Sequence, residues 1–316
     1  MRKAILLYNP LAGRRRSRRL ADVERVLAIL RAGGVEVSAA PTRAGAQTTE
    51  QALQAIDTGC DSVIACGGDG TVHDVLQGLV GTNVSLGIIP LGTANSLAHD
   101  LRLPLSPARA AEAALTAKAR RIAVGRVVYR DFSGNPAARH FVVTAGIGVD
   151  AQLFYALNPL AKRQLGIAAY YAYATHLWLM HRMEWFTAEI RSEEGQPPRR
   201  YDVTQLLAVR IADFGGALRT LAPGASLDRD DLRLVLFQTC SRTAYLRYVL
   251  RGLFRASWNI RGIELQHECR VLCRPKEVKE DQGSKSKIYV EADGELLGTL
   301  PAEISVVPDA LTVLGG

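Results

Sequence analysis

The hydrophobic period of this chain changes once, near residue 121, and the change calls for two different kinds of domain. Before it, short apolar runs alternate with amphipathic helical stretches. Lys3 to Tyr8 reads as a strand, followed by a turn at Asn9-Pro10-Leu11-Ala12-Gly13. Leu20, Val23, Val26, Leu27 and Leu30 recur at helical spacing, and Gly33-Gly34 ends that helix. Strands over Val35–Ala39, Ser62–Cys66 and Leu86–Ile89 then enclose helices over Thr48–Ile56 and about Val72–Leu79. Such alternation implies a parallel sheet covered by helices on both faces. After Arg121 strands dominate, over 122–129, 140–145, 185–191, 205–211, 232–239, 263–272 and 288–292, separated by charged or Gly/Pro-rich turns. This predicts an antiparallel sandwich or barrel with two helical insertions. The expected fold class is α/β plus all-β. An α/β domain covers residues 1–121 and a β-rich domain 122–316, with the C-terminal tail free to return to the first.

A 48% hydrophobic, 22% charged composition supplies a real core and excludes a disordered or collagen-like chain. No apolar run reaches the ~18 residues that span a bilayer. The longest, Leu165 to Met183, is interrupted by His176, His181 and Arg182. Met1-Arg2-Lys3 leads into an apolar run too short for a signal peptide, so no transmembrane segment and a cytoplasmic location are expected. The 39 Lys and Arg against 31 Asp and Glu leave a net charge of +8. That excess fits a polyanionic partner: nucleotide, nucleic acid or an anionic membrane face. The five cysteines have no metal-ligand spacing and read as reduced thiols.

Two glycine turns carry the chemistry. Gly67-Gly68-Asp69-Gly70-Thr71 stands between a predicted strand and helix, where backbone N–H groups and a helix N-terminus suit a phosphate. A carboxylate at Asp69 fits that setting only if it holds a divalent cation, directly or through water. The plainer reading is a Gly-Asp-Gly turn with a threonine cap. Pro90-Leu91-Gly92-Thr93-Ala94-Asn95 repeats the arrangement ahead of a helix over Ser96 to Asp100. Both turns fall at strand C-terminal ends on one edge of a parallel sheet, where doubly wound folds bind ligands. Neither matches the P-loop or the dinucleotide fingerprint.

These turns, together with Asn9-Pro10-x-x-Gly13 and Asp293-Gly294-Glu295, resemble the bacterial diacylglycerol/lipid kinases, relatives of eukaryotic diacylglycerol and sphingosine kinases. The blocks occur in the family's order over nearly the whole chain. Ala145-Gly146-Ile147-Gly148-Val149-Asp150-Ala151 and Ala222-Pro223-Gly224-Ala225 are further landmarks. The resemblance implies an N-terminal domain like that of NAD kinases and phosphofructokinases, a C-terminal antiparallel β-sandwich, and ATP in the cleft between them. It implies that Asn9, Gly13, Thr42, Gly67, Gly68, Asp69, Gly70, Thr71, Gly92, Thr93 and Asn95 bind the nucleotide, with Asp69 holding Mg²⁺ through water. Asp293 would be the general base, with Glu295 close to the metal or the nucleotide.

The chemistry agrees. A lipid hydroxyl is a poor nucleophile, and a carboxylate within hydrogen-bond reach takes its proton as the P–O bond forms. An ordinary Asp-Gly hairpin is the alternative for the same residues. The chain departs from the family at Ser96, where Asp is usual, and at His73-Asp74, where Asn-Glu is common. Around Asp228-Arg229-Asp230 the usual Asp-Gly is replaced, which bears on any structural metal site of the family's type there. The expected function is an ATP- and Mg²⁺-dependent lipid kinase acting on diacylglycerol or a related lipid. An NAD kinase-like enzyme and a catalytically weak nucleotide- or lipid-binding regulator stay open beside it. Nucleic-acid binding lacks an aromatic or groove-reading motif.

Two arginine groups give the excess charge an address. Arg14, Arg15, Arg16, Arg18 and Arg19 open the first helix, where they suit nucleotide phosphates or lipid headgroups. Thr243 to Trp258 reads as a basic amphipathic helix, with no acidic residue between Ser241 and Gly262. Leu246, Val249, Leu250 and Leu253 share one face, and Arg247, Arg251 and Arg255 another. The helix either docks on anionic lipid or packs its apolar face on the sandwich. A lipid kinase with no membrane span must touch an anionic membrane surface reversibly.

Overall fold

The computed structural model describes residues 1–10, 19–43, 45–149, 151, 183–191, 197–215, 221–254, 258–276 and 287–315. The chain divides into two compact units, Met1–Val124 with Ile211–Arg219 and Val307–Gly316, and Gly125–Arg210 with Thr220–Val306. Two later segments return to the first unit: the C-terminal tail, for which the sequence left room, and Ile211–Arg219, which a contiguous division at 121/122 leaves out. One is tied by the Ala212 and Asp213 N–H groups, which donate to the Asp100 carboxylate at 2.8 and 2.9 Å. The other is a strand pairing at the C-terminal end of the chain.

The first unit runs β1 (Lys3–Tyr8), α1 (Arg19–Ala32), β2 (Glu36–Pro41), α2 (Ala46–Asp57), β3 (Ser62–Gly67), α3 (Asp69–Leu79), β4 (Ser85–Pro90), α4 (Ser96–Asp100) and α5 (Pro107–Thr116). Its strands pair in parallel in the order β2-β1-β3-β4. The end of a long strand, β15 (Glu295–Leu314), extends this sheet, with Thr312 opposite Ser85. One face of the strands, through Ala4, Leu6, Ile64, Cys66 and Ile89, packs on Val23, Val26 and Leu30 of α1 and Ala110 and Ala111 of α5. Side chains alternate along a strand, and the other face is covered by α3, which also packs against α2. Leu20 does not join the core. The buried stripe of α1 is Arg19, Val23, Val26 and Leu30, and Leu20 lies about a quarter turn from it, exposed. α5 was not expected, although Ser106-Pro107 is a helix-start signal, with proline at the first helical position.

The second unit is a β-sandwich. β5 (Ala119–Arg130) enters it and pairs with β6 (Pro136–Phe141). Then follow β7 (Thr144–Gly148), β8 (Phe186–Ile190), β9 (Arg199–Val203), β10 (Gln205–Val209), β11 (Leu232–Phe237), α6 (Arg242–Phe254), β12 (Ile263–Glu268), β13 (Arg270–Pro275) and β14 (Tyr289–Ala292). One antiparallel layer runs β12-β11-β10-β7-β14-β15 and another runs β9-β8-β13-β15. β15 serves both, pairing with β14 up to Thr299 and with β13 from Ala302. Ile147, Leu206, Leu234 and Val290 from one layer meet Phe186, Ala188, Val271 and Ile304 from the other in a single core. The expected strand over 140–145 is two strands, β6 and β7. The expected strand over 263–272 is β12 and β13, broken at Cys269. β9 and the length of β15 were not anticipated.

Candidate active site

The first constellation lies in the first unit. Parallel register sets Tyr8 opposite Pro41 and Cys66, and Gly67 opposite Pro90, so the strand ends are level and the turns that follow share one edge. Those turns carry Asn9, Thr42, Gly68–Thr71 and Gly92–Asn95. The Asn9 N–H donates to the Cys66 carbonyl at 3.0 Å, and the Thr42 N–H donates to that of Tyr8 at 2.8 Å. The Asn9 side-chain amide reaches the Thr71 hydroxyl at 3.4 Å. Cys66 is no nucleophile here, because burial pushes its thiol up to about 12.

α3 begins at Asp69, three residues before its expected start at Val72, so the Gly-Asp-Gly-Thr segment is the first helical turn. Gly68 is the N-cap and there is no side-chain cap. A helix start of this kind leaves its backbone N–H groups to an anion. Asp69 meanwhile does something the sequence did not suggest. Its Oδ2 accepts the Asn95 N–H at 2.9 Å and its Oδ1 the Ser96 N–H at 2.7 Å. It thereby caps α4 and clamps the two glycine turns together. Asn95, left-handed at φ 52°, closes its own turn with two bonds to the Gly92 backbone, at 2.9 and 3.0 Å. Where the turns meet, only glycine fits: a Cβ on Gly92 would lie 2.5 Å from the Gly68 Cα. Gly70 and Thr93 are exposed on the same edge.

Among the described residues no three His, Cys, Asp or Glu side chains gather as a metal cluster. A cation beside Asp69 would therefore draw most of its ligands from water and phosphate, as Mg²⁺ does. Asp69, with both oxygens already accepting N–H groups, suits contact through water. A metal is less suited to the Asp228-Arg229-Asp230 loop. There Arg229 forks onto Asp231 at 3.0 and 2.9 Å, and His267 Nδ1 lies 3.1 Å from the same carboxylate. Burial alone would raise the Asp231 carboxyl, but these partners hold it below its ordinary 3.8.

The second constellation lies in the second unit, at the β14–β15 turn. Asp293 is left-handed, at φ 49°, and its N–H donates to the Thr144 carbonyl at 2.8 Å. Its Oδ2 accepts the Val142 N–H at 3.0 Å, and its Oδ1 accepts those of Val143 and Thr144 at 2.9 and 3.0 Å. This is why the expected strand over 140–145 breaks: the amides of Val142 and Val143 turn toward a carboxylate instead of continuing the strand. The buried Glu291 accepts the Gly294 N–H at 3.0 Å and braces the turn. Glu295 pairs with Arg139 at 3.6 Å. Sequence reasoning missed Arg139 and Glu291. Glu291 stands between Val290 and Ala292, where alternation points it away from the core, and nothing marked Arg139.

The arginines expected at a membrane divide. Arg247 is exposed on α6, whereas Arg251 is buried with its guanidinium 5.0 Å from the Tyr248 ring centroid, drawn in by the aromatic face. Arg251 is thus removed from any outward arginine face. Gly13, Arg14, Arg15, Arg16, Arg18 and Arg255 lie outside the described residues, as does the apolar stretch over 165–182.

A parallel α/β unit with clamped glycine turns, followed in the same chain by a β-sandwich, is a fold of the NAD kinase-like class. Yeast NADH kinase in complex with NADH shares it, at a TM-score of 0.53 and 12% identity over 100% of this chain and 84% of that one. A diacylglycerol kinase structure from Bacillus anthracis str. Sterne superposes at 0.71, with 20% identity over 99% and 97% of the two chains. Residues 3–127 match the diacylglycerol kinase catalytic domain, and residues 142–315 the YegS C-terminal NAD kinase beta sandwich-like domain. A diacylglycerol kinase of Mycobacterium tuberculosis (strain ATCC 25618 / H37Rv) is 30% identical over 99% of this chain and 94% of its own length. One from Bacillus subtilis (strain 168) is 27% identical over 96% and 93%. The chain belongs to the diacylglycerol kinase family.

Proposed function

We propose that the chain transfers the γ-phosphoryl group of ATP, with Mg²⁺, to a hydroxyl of diacylglycerol or a closely related lipid. The observation that carries this reading is the Asp69 clamp, which holds two glycine turns on one sheet edge with helix N–H groups at their junction. When bound, Mg²⁺ would offset the charge that develops on the transferred phosphoryl group. Gly68, Gly70 and Thr93 line the nucleotide phosphates with backbone N–H groups, and Thr71 and Thr93 with hydroxyls, beside Asn9, Thr42, Gly92 and Asn95. Asp69 would hold water on the metal while its carboxylate keeps its bonds to the Asn95 and Ser96 amides. Asp293 accepts the lipid hydroxyl proton, its carboxylate fixed in orientation by the turn before β7. Glu295, held by Arg139, supports the same turn.

A second reading, a nucleotide-binding member with weak catalysis, has one observation in its favour. Three backbone donors on Asp293 are reason enough for an aspartate there without any proton transfer. One assay separates the two. Protein incubated with γ-labelled ATP, Mg²⁺ and diacylglycerol in mixed micelles should yield chloroform-soluble label. Label in NAD instead, or ATP binding with no labelled lipid, would overturn the proposal.

A further inference from the structure

We infer that the outward aliphatic face of α6 is a membrane-docking surface whose occupant is an anionic bilayer. α6 buries Ala244, Tyr245, Tyr248, Arg251 and Gly252. Tyr245 and Tyr248 pack on Phe237 of β11, with ring centroids 4.6 and 4.9 Å apart. The Tyr245 hydroxyl also lies 2.8 Å from that of Thr204. The helix therefore anchors through its aromatic face and turns its aliphatic face to solvent. Leu246, Val249 and Leu253 are 50%, 43% and 42% exposed, and Phe254 reaches 68%. At 100° per residue the three aliphatic side chains fall on one stripe, with Leu250 and Phe254 beside it. Of the two readings of this helix, packing of the aliphatic face on the sandwich does not hold for Leu246, Val249 and Leu253.

Leaving such a stripe in water is unfavourable, and what surrounds it names the occupant. Arg242 and Arg247 are exposed on the helix, Arg261 is exposed shortly after it in sequence, and no acidic residue occurs between Ser241 and Gly262. Trp258, also exposed, adds an amphipathic ring of the kind that sits at headgroup depth. A second copy of the chain would bring the same cations against these, whereas anionic headgroups complement them while acyl chains take the leucines. The helix has 13 residues, and among the described residues no helix is long and apolar enough to cross a membrane. The surface lies on the bilayer and does not span it. Its purpose, access to a lipid hydroxyl, rests on the lipid-kinase reading above; its binding to a bilayer does not.

The test is flotation of the full chain with vesicles of equal parts phosphatidylglycerol and phosphatidylcholine, against phosphatidylcholine alone. Wild type should float with the anionic vesicles. Leu246→Ser/Val249→Ser/Leu253→Ser and, separately, Arg242→Glu/Arg247→Glu should each weaken that binding by about tenfold or more. Melting temperature and turnover of a soluble short-chain diacylglycerol should stay at wild-type values, because all five side chains are exposed. Wild type that fails to float, or variants that float as wild type does, would overturn the inference. So would loss in the variants of a dimer seen by sedimentation with vesicle binding unchanged. Variant-sensitive flotation in a protein that never labels lipid would instead sink the kinase reading and leave this surface standing.

Discussion

Asp293→Asn separates the two roles that Asp293 could have. The carboxylate accepts three backbone N–H groups, at 3.0, 2.9 and 3.0 Å. Asparagine keeps one oxygen and replaces the other with an N–H₂ donor, which faces at least one of those amides donor to donor. Losing one bond to a charged acceptor and leaving that amide unmet costs about 2–3 kcal/mol. In a chain of 316 residues each kcal/mol lowers the melting temperature by about 1.5 °C, so calorimetry should show a fall of about 3–5 °C. Native proteins have about 5–15 kcal/mol in hand, so the variant stays folded at 25 °C and unfolding cannot mimic a catalytic defect. Asparagine also tolerates the left-handed backbone, so strain at φ 49° does not enter the comparison. A general base contributes about 10²–10⁴-fold, and a hundredfold loss of turnover equals about 2.7 kcal/mol of barrier. The variant should therefore melt earlier, turn over at least about a hundredfold slower and bind ATP as wild type does. An earlier melt at full turnover would make Asp293 a clamp and nothing more. An unchanged melt would refute the hydrogen-bond accounting itself.

Four further substitutions have expected outcomes. Gly92→Ala should cost about 1–3 kcal/mol of stability and weaken ATP binding by calorimetric titration. Gly68→Ala should be milder, because its Cβ meets the facing backbone at 3.2 Å and not at 2.5 Å. Asp69→Ala strips the acceptor from the Asn95 and Ser96 amides and should cost about 2–4 kcal/mol in addition to nucleotide affinity, so a wild-type melt would show that the clamp does not stabilise the turns. Because Arg229 and His267 outweigh burial and hold the folded Asp231 carboxyl below 3.8, its stabilisation is present above that pH and fades as pH falls through the lower folded value. Urea midpoints below about pH 4 should therefore fall more gently in Asp231→Asn than in wild type. Asp100 has the opposite sign: burial raises its carboxyl, so its ionisation costs stability as pH rises past 3.8.

The strand–turn–helix junctions of the first unit could be read because each is local: an apolar run, two small residues, then helical spacing. Asn9, Thr42, Gly68–Thr71 and Gly92–Asn95 fall on one edge as parallel order requires. What was not legible depends on partners distant in sequence. The break at Val142 and Val143 is caused by a carboxylate about 150 residues away, and no window around those valines contains it. The start of α3 at Asp69 was hidden because Gly-Asp-Gly reads as a turn until Asp69 finds the amides of Asn95 and Ser96. On α6, period alone separated leucines from arginines correctly but could not say which face is inside. Phe237 decided that, by offering an aromatic surface to Tyr245 and Tyr248 and drawing Arg251 in with them.

The central claim is that the clamped glycine turns hold the phosphates of the nucleotide. Amide hydrogen exchange with and without ATP and Mg²⁺ tests it most directly. Exchange should slow at Asp69 and Gly70, in the uncapped first turn of α3, and across Gly92–Asn95. ATP binding that leaves exchange at both turns unchanged would contradict it.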